Sequence, residues 1–159
     1  SKLRKEGLPM KIAIGNDHAA LELKNHIVDY LIREGHEVVN FGTDTPASTD
    51  YPIYGARVAH AVANGECERG VVICGTGIGI SISANKVKGI RCALCSEPVS
   101  AKLTRQHNDA NVLAMGARII GPAMAEEIVH TFLTTEFEGG RHSRRVDLIT
   151  KLENGQTIE

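Results

Sequence analysis

Apolar positions along this chain recur in two alternating rhythms, short continuous runs and helical spacings. Residues 11–15 form a short apolar run that ends at the polar triplet Asn16-Asp17-His18. Leu21, Leu23, Ile27 and Leu31 then repeat at helical spacing, predicting a helix over 21–33 that Gly35 stops. Residues 37–41 predict a second strand. The polar stretch 42–52 is too long for a simple turn and is a candidate functional loop. The rhythm continues with a helix at 53–63, a strand at 70–74, a short helix at 78–85, a strand at 90–95 and a helix at 98–105. A fifth strand at 112–115 follows, then a helix at 122–133 opened by Pro122, and a last helix at 143–153 beyond Gly139 and Gly140. Strands that alternate with helices imply a parallel sheet covered on both faces, a three-layer α/β sandwich of the flavodoxin or Rossmann-like kind. The expected strand order is 2-1-3-4-5. In such a sheet the winding reverses between the first and third strands, and ligands bind there, beyond the carboxyl ends. That placement would bring Asn16-Asp17-His18 and residues 74–79 into one crevice.

Length fits one domain, expected over residues 10–159 and closed by the C-terminal helix. Residues 1–9 are too polar and short for a signal peptide and read as a leader or cloning remnant ahead of Met10. A net charge of −1 gives no drive toward nucleic acid or a membrane surface, and no apolar run approaches the roughly 18 residues a span needs. A cytoplasmic protein is therefore expected. Among the four cysteines, Cys92 and Cys95 have the spacing of a zinc or redox pair. They fall in one strand, however, where residues three apart face opposite sides. No second such pair and no histidines at ligand spacing complete a zinc site, so both are expected to be buried and no metal or cofactor is implied.

Candidate chemistry concentrates at Cys74-Gly75-Thr76-Gly77-Ile78-Gly79-Ile80-Ser81, a thiol at a strand end followed by glycine at every second position. Glycine lets backbone approach a ligand closely, and a helix starting just beyond offers unpaired N–H groups and a positive dipole end. The same field favours a thiolate over a thiol. The loop lacks the lysine of a Walker motif. Ile80 stands where a dinucleotide fingerprint has its third glycine, and the next arginine, Arg91, is too distant for a cysteine phosphatase loop. An ordinary strand–turn–helix junction with a buried cysteine would read similarly.

Three other clusters bear on that crevice. Asp17 and His18 follow the first strand, where Asp17 also reads as a helix cap. Gln106-His107-Asn108-Asp109-Ala110-Asn111 is either a solvated turn or a proton-transfer site with an imidazole. Arg141 and Arg145 are four apart, side by side on a helix, where a dianion such as a phosphate monoester would relieve their repulsion. A thiol base, an imidazole acid, N–H donors and a phosphate clamp together suit aldose–ketose isomerisation of a sugar phosphate. The base removes a proton α to the carbonyl, and the enediolate needs oxyanion donors worth about 3–4 kcal/mol each.

Asn16-Asp17-His18, Thr49-Asp50-Tyr51-Pro52, the Cys74 loop, Ser96-Glu97-Pro98, Arg105-Gln106-His107-Asn108-Asp109 and Glu138-Gly139-Gly140-Arg141-His142 occur in this order. In them the chain resembles the type B ribose-5-phosphate isomerases, whose family includes allose- and galactose-6-phosphate isomerases. The resemblance implies interconversion of D-ribose 5-phosphate and D-ribulose 5-phosphate in the non-oxidative pentose phosphate pathway, without cofactor or metal. It implies that Cys74 is the base, Thr76 assists at the hydroxyl oxygens, and the N–H groups of Gly75, Thr76, Gly77, Ile78 and Gly79 hold the enediolate. His107 then opens the furanose ring, Asp17 orients hydroxyl groups, and His18, Arg141 and Arg145 bind phosphate. Arg118, Asn108 and Tyr51 become further substrate contacts. The resemblance also implies a homodimer, or a tetramer, whose site is shared so that His107 and Asn108 come from the neighbouring subunit. A hexose 6-phosphate substrate is the alternative, and a non-catalytic phosphate-binding module would leave Cys74 and His107 together unexplained.

Overall fold

The computed structural model describes residues 8–159, so residues 1–7 of the expected leader lie outside the described residues. Five parallel strands form one sheet: β1 (Lys11–Asn16), β2 (Glu37–Asn40), β3 (Arg69–Cys74), β4 (Cys92–Leu94) and β5 (Val112–Gly116). Six α-helices accompany them: α1 (Leu21–Arg33), α2 (Tyr51–Ala63), α3 (Ile78–Ala84), α4 (Pro98–Asn108), α5 (Pro122–Thr134) and α6 (Arg141–Glu153).

Alternation along the strands divides the core in two. Ile12, Ile14, Val71, Ile73, Leu113 and Met115 pack with α1 and α5 residues such as Ile27, Leu31, Ile128 and Phe132 on one face. Ala13, Val72, Cys74, Val112 and Ala114 pack with Val58 and Val62 of α2 and Ile80 of α3 on the other. The second face is built from smaller residues, and α2 lies close against it. A Cβ on Gly15 would stand 2.7 Å from Val58 Cγ2, and one on Gly70 2.6 Å from Val58 Cγ1. This close seat brings Tyr51, the first residue of α2, to the carboxyl edge of the sheet.

The strand order is β2-β1-β3-β5-β4, which corrects the expected 2-1-3-4-5 at one edge. β5 is buried at all five residues and takes the inner place, whereas β4 is three residues long, incompletely buried and suited to an edge. Right-handed crossovers then sort the helices. The β2-to-β3 and β3-to-β4 steps run in one direction and put α2 and α3 on one face. The β1-to-β2 and β4-to-β5 steps run the opposite way and put α1 and α4 on the other.

The long loop after β2 is held from beneath. Lys24 of α1 is fully buried, and its Nζ donates to Thr43 O at 3.0 Å and to Asp44 Oδ1 at 2.5 Å. That hydrogen bond holds the Asp44 carboxyl below its ordinary pKa. Asn16, also buried, donates from Nδ2 to Asp17 O at 2.9 Å and Thr43 O at 3.2 Å, tying the loop to the end of β1.

Candidate active site

Cys74 ends β3, and its Sγ accepts the Gly77 N–H at 3.2 Å. The turn that makes this bond requires glycine. Gly77 has φ +79°, and a Cβ there would stand 2.8 Å from the Met115 carbonyl carbon. Thr76 Oγ1 accepts the Ile78 N–H at 3.2 Å, and the first bond of α3 runs from Ser81 N to Gly77 O. The N–H groups of Gly79 and Ile80, in the opening turn of α3, therefore have no acceptor within the helix. A methyl at Gly77 costs on the order of 1–3 kcal/mol in backbone strain before the clash with β5 is counted. Gly77→Ala is expected to lower the melting midpoint by several degrees and turnover with it. Gly121→Ala, where an added methyl meets nothing, leaves both nearly unchanged. Equal melting curves for the two variants would contradict the strained turn.

Around this loop the carboxyl edge collects most of the expected residues. Asp17 N donates to Ile73 O at 3.3 Å, beside Cys74, and Asp17 Oδ1 caps the turn at Ala19 N at 3.1 Å. The capping reading of Asp17 is thus realised in the crevice itself. His18 Nδ1 accepts the Thr49 N–H at 3.1 Å, so a neutral ring carries its proton on Nε2 as a donor. Tyr51 lies on the loop, its ring within 2.6 Å of where a Gly79 Cβ would be. Arg118 follows β5; its N–H donates to Gly75 O at 2.9 Å, and its guanidinium would lie 3.4 Å from a Gly75 Cβ.

His107, Asn108, Arg141 and Arg145 are placed elsewhere. β4 and β5 are parallel neighbours, so α4 between them returns from the carboxyl to the amino edge. It runs on to Asn108, and His107 and Asn108 occupy its last turn rather than a loop. Cys74 pairs with Gly116 and Gly70 with Val112, so about 13 Å of strand separates the two edges. One chain by itself brings the thiol and this imidazole to opposite ends of the sheet.

The second cluster is built tightly. Arg105, 1% exposed, donates to Asp109 Oδ1 at 2.9 Å, Ala110 O at 2.6 Å and Thr135 O at 3.1 Å, and lies over the Phe132 ring. It holds Asp109 in the left-handed conformation that ends α4, φ +48°. Glu138 N donates to Gln106 O at 3.1 Å and joins the approach to α6 onto α4. α6 starts at Arg141, and the buried His142 ring stacks on His107 with centroids 4.4 Å apart and planes 16° from parallel. Spacing and charge single out Arg141 and Arg145 in this turn, whereas nothing local in the sequence marks Arg105, Glu138 or His142 as positioning groups.

Burial above all, then the positive charges of His107 and Arg141, holds the His142 pKa below the ordinary imidazole value, against the opposing pull of Glu138. The unfolded chain takes up this proton near pH 6.5 while the folded chain resists it, so the unfolded state binds more protons below that pH. Stability is expected to fall as pH drops below about 6.5, until the folded ring also protonates. His142→Gln should flatten that part of a urea-midpoint profile; parallel profiles for variant and parent would contradict it.

Cys92 packs toward one core cluster and Cys95 belongs to the other, so they do not face each other. Burial pushes their thiols up to about 12 and about 11. Glu138 and His142 are four apart on the approach to α6, and the fold sets His107 against them, with one donor atom of each within 4.8 Å of the others.

Residues 12–149 match the family model described as Ribose/Galactose Isomerase. The chain is 54% identical over 143 residues to ribose-5-phosphate isomerase B of Escherichia coli K12, covering 90% of this chain and 96% of the relative. It is 46% identical to D-erythrulose-4-phosphate isomerase of Pectobacterium atrosepticum, covering 91% and 96%. The solved structure of Clostridium thermocellum ribose-5-phosphate isomerase B superposes with a TM-score of 0.91 at 53% identity, covering 92% of this chain and 99% of that one.

Proposed function

We propose that this chain, which belongs to the ribose/galactose isomerase family, interconverts D-ribose 5-phosphate and D-ribulose 5-phosphate. The observation that carries the reading is the Cys74 sulfur at the end of β3, bonded by Gly77 N–H, with the opening turn of α3 beside it. Cys74 as thiolate removes the proton on C2 of the open aldose. The charge passes to the oxygens as an enediolate, held by N–H groups of residues 75–79. Cys74 returns the proton to C1 while Thr76 helps move a proton between the hydroxyl oxygens. His107 first opens the furanose by protonating its ring oxygen. Asp17 orients hydroxyl groups, Tyr51, Asn108 and Arg118 line the sugar, and His18, Arg141 and Arg145 hold the phosphate. No cofactor takes part.

The separation of Cys74 from His107 supports a homodimer, or a tetramer built from two such dimers, in which each site draws His107, Asn108, Arg141 and Arg145 from the neighbouring copy. Exposed Ile78 and Ile82 on α3, Leu94 on β4, and Val99 and Leu103 on α4 give the β4 edge an apolar surface fit for that contact. The domain is taken to run from Met10 to the C-terminal helix. Among the described residues no helix is long and apolar enough to cross a membrane, and the four cysteines are free, which fits the reducing cytoplasm.

A coupled assay with ribose 5-phosphate, allose 6-phosphate and galactose 6-phosphate in parallel, chelator present, tests this. Turnover of the pentose in large excess over both hexoses is expected. Preference for a hexose phosphate would move the substrate assignment while keeping the mechanism, and silence on all three would overturn the isomerase reading.

A further inference from the structure

We infer that the buried Lys24 is a positioning residue for phosphate recognition, acting through the loop 43–49 on His18. It clasps the start of that loop to α1, which keeps the Thr49 N–H on His18 and the His18 ring in its Nε2–H form. The inference rests on the phosphate role proposed for His18 above.

His18 stands just before α1 and Lys24 lies in its first turn, and the loop straddles the two. At one end Lys24 Nζ donates to Thr43 O at 3.0 Å and Asp44 Oδ1 at 2.5 Å, and reaches Asn40 Oδ1 at 3.4 Å. All three ammonium donors are thus spent on the loop and the strand that leads into it. At the other end the Thr49 N–H donates to His18 Nδ1 at 3.1 Å. Residues 44–48 between the clasps are exposed, and Pro46 lines one cavity with His18. An N–H on Nδ1 leaves Nε2 as the donor of the neutral ring, the group from which a phosphate oxygen accepts. A ring that loses this bond is free to turn and to carry its proton on either nitrogen.

Support of the fold does not explain a lysine here, because burying an ammonium is costly and an apolar side chain of similar size would pack as well. Lys24→Met leaves no buried group without a partner. Thr43 O keeps Asn16 Nδ2 at 3.2 Å, and Asn40 Oδ1 keeps the Gly42 N–H at 2.9 Å. The Asp44 side chain, 68% exposed, keeps Asn40 Nδ2 and reaches water. Methionine removes only the tie between the loop and α1.

The test compares full-length parent, Lys24→Met, His18→Asn and the double variant by calorimetric titration with inorganic phosphate and by pentose phosphate kinetics. Lys24→Met should melt within a few degrees of the parent and bind phosphate about tenfold more weakly. KM should rise by a similar factor with kcat within about threefold, the mark of lost uniform binding. In the His18→Asn background the same change should cost less than about twofold, because its route runs through the missing ring. Ring nitrogen–proton spectra should show one His18 tautomer in the parent and both in Lys24→Met. Two glycines inserted between the exposed Ala47 and Ser48 keep the lysine and its charge but part the two clasps, and should reproduce these effects. The insertion also carries the test if Lys24→Met does not fold. Equal losses from Lys24→Met with and without His18 would overturn the inference. So would an effect that the insertion does not share, which marks direct attraction of phosphate by the charge. A parent that binds phosphate without turnover would count against the isomerase reading and leave Lys24 in its role. A parent that binds no phosphate would remove His18 from recognition, and with it this inference, even where the ring spectra still tie the tautomer to Lys24.

Discussion

Cys74→Ala is expected to reduce pentose phosphate turnover by at least about a thousandfold, near the upper end of what a positioned acid–base group contributes. The sulfur acts twice in the proposed cycle, taking the proton from C2 and delivering it to C1, so no half-reaction survives its loss. The fold should tolerate the change. Alanine keeps the β-carbon against the α2 and α3 face, and what it removes is the sulfur acceptor of the Gly77 N–H. A melting midpoint within a few degrees of the parent and retained binding of inorganic phosphate would separate lost chemistry from lost structure. Cys92→Ala and Cys95→Ala serve as controls, because those thiols are pushed up to about 12 and about 11 by burial and cannot supply a base near neutrality. Turnover within tenfold of wild type in Cys74→Ala would remove the thiol from the mechanism.

Mixing two dead variants should bring activity back. Cys74→Ala spoils the carboxyl-edge half of each site and His107→Asn the amino-edge half. If each site joins halves from two copies, a dimer holding one chain of each kind has one fully spoiled site and one intact site. Random re-pairing makes half the dimers mixed, and one of their two sites works, so about a quarter of wild-type activity should return. The separation of the two edges by about 13 Å of strand is why a single chain cannot rescue itself. Differently tagged chains would prove that mixed dimers had formed. Mixed dimers with no regained turnover would mean that Cys74 and His107 serve one chain's own site, or that His107 serves none.

Sequence by itself determined a good deal of this molecule. Local rules place the strands and helices, because apolar period, glycine stops and proline starts act within a few residues. Gly77 and Gly79 mark the turn beyond Cys74 from composition alone, and the reversal between β1 and β3 puts Asp17 and His18 beside it. Only the tertiary structure decided the β5–β4 exchange, since the inner place goes to the strand buried on both faces, a property of the assembled sheet. It also decided that α4 carries His107 to the edge opposite Cys74. The stacking of His142 on His107, 35 positions apart in the chain by the difference of their numbers, depends on where Arg105 and Glu138 anchor the approach to α6. Periodicity reports how a residue relates to its chain neighbours, and it is silent on which distant ring will lie against it.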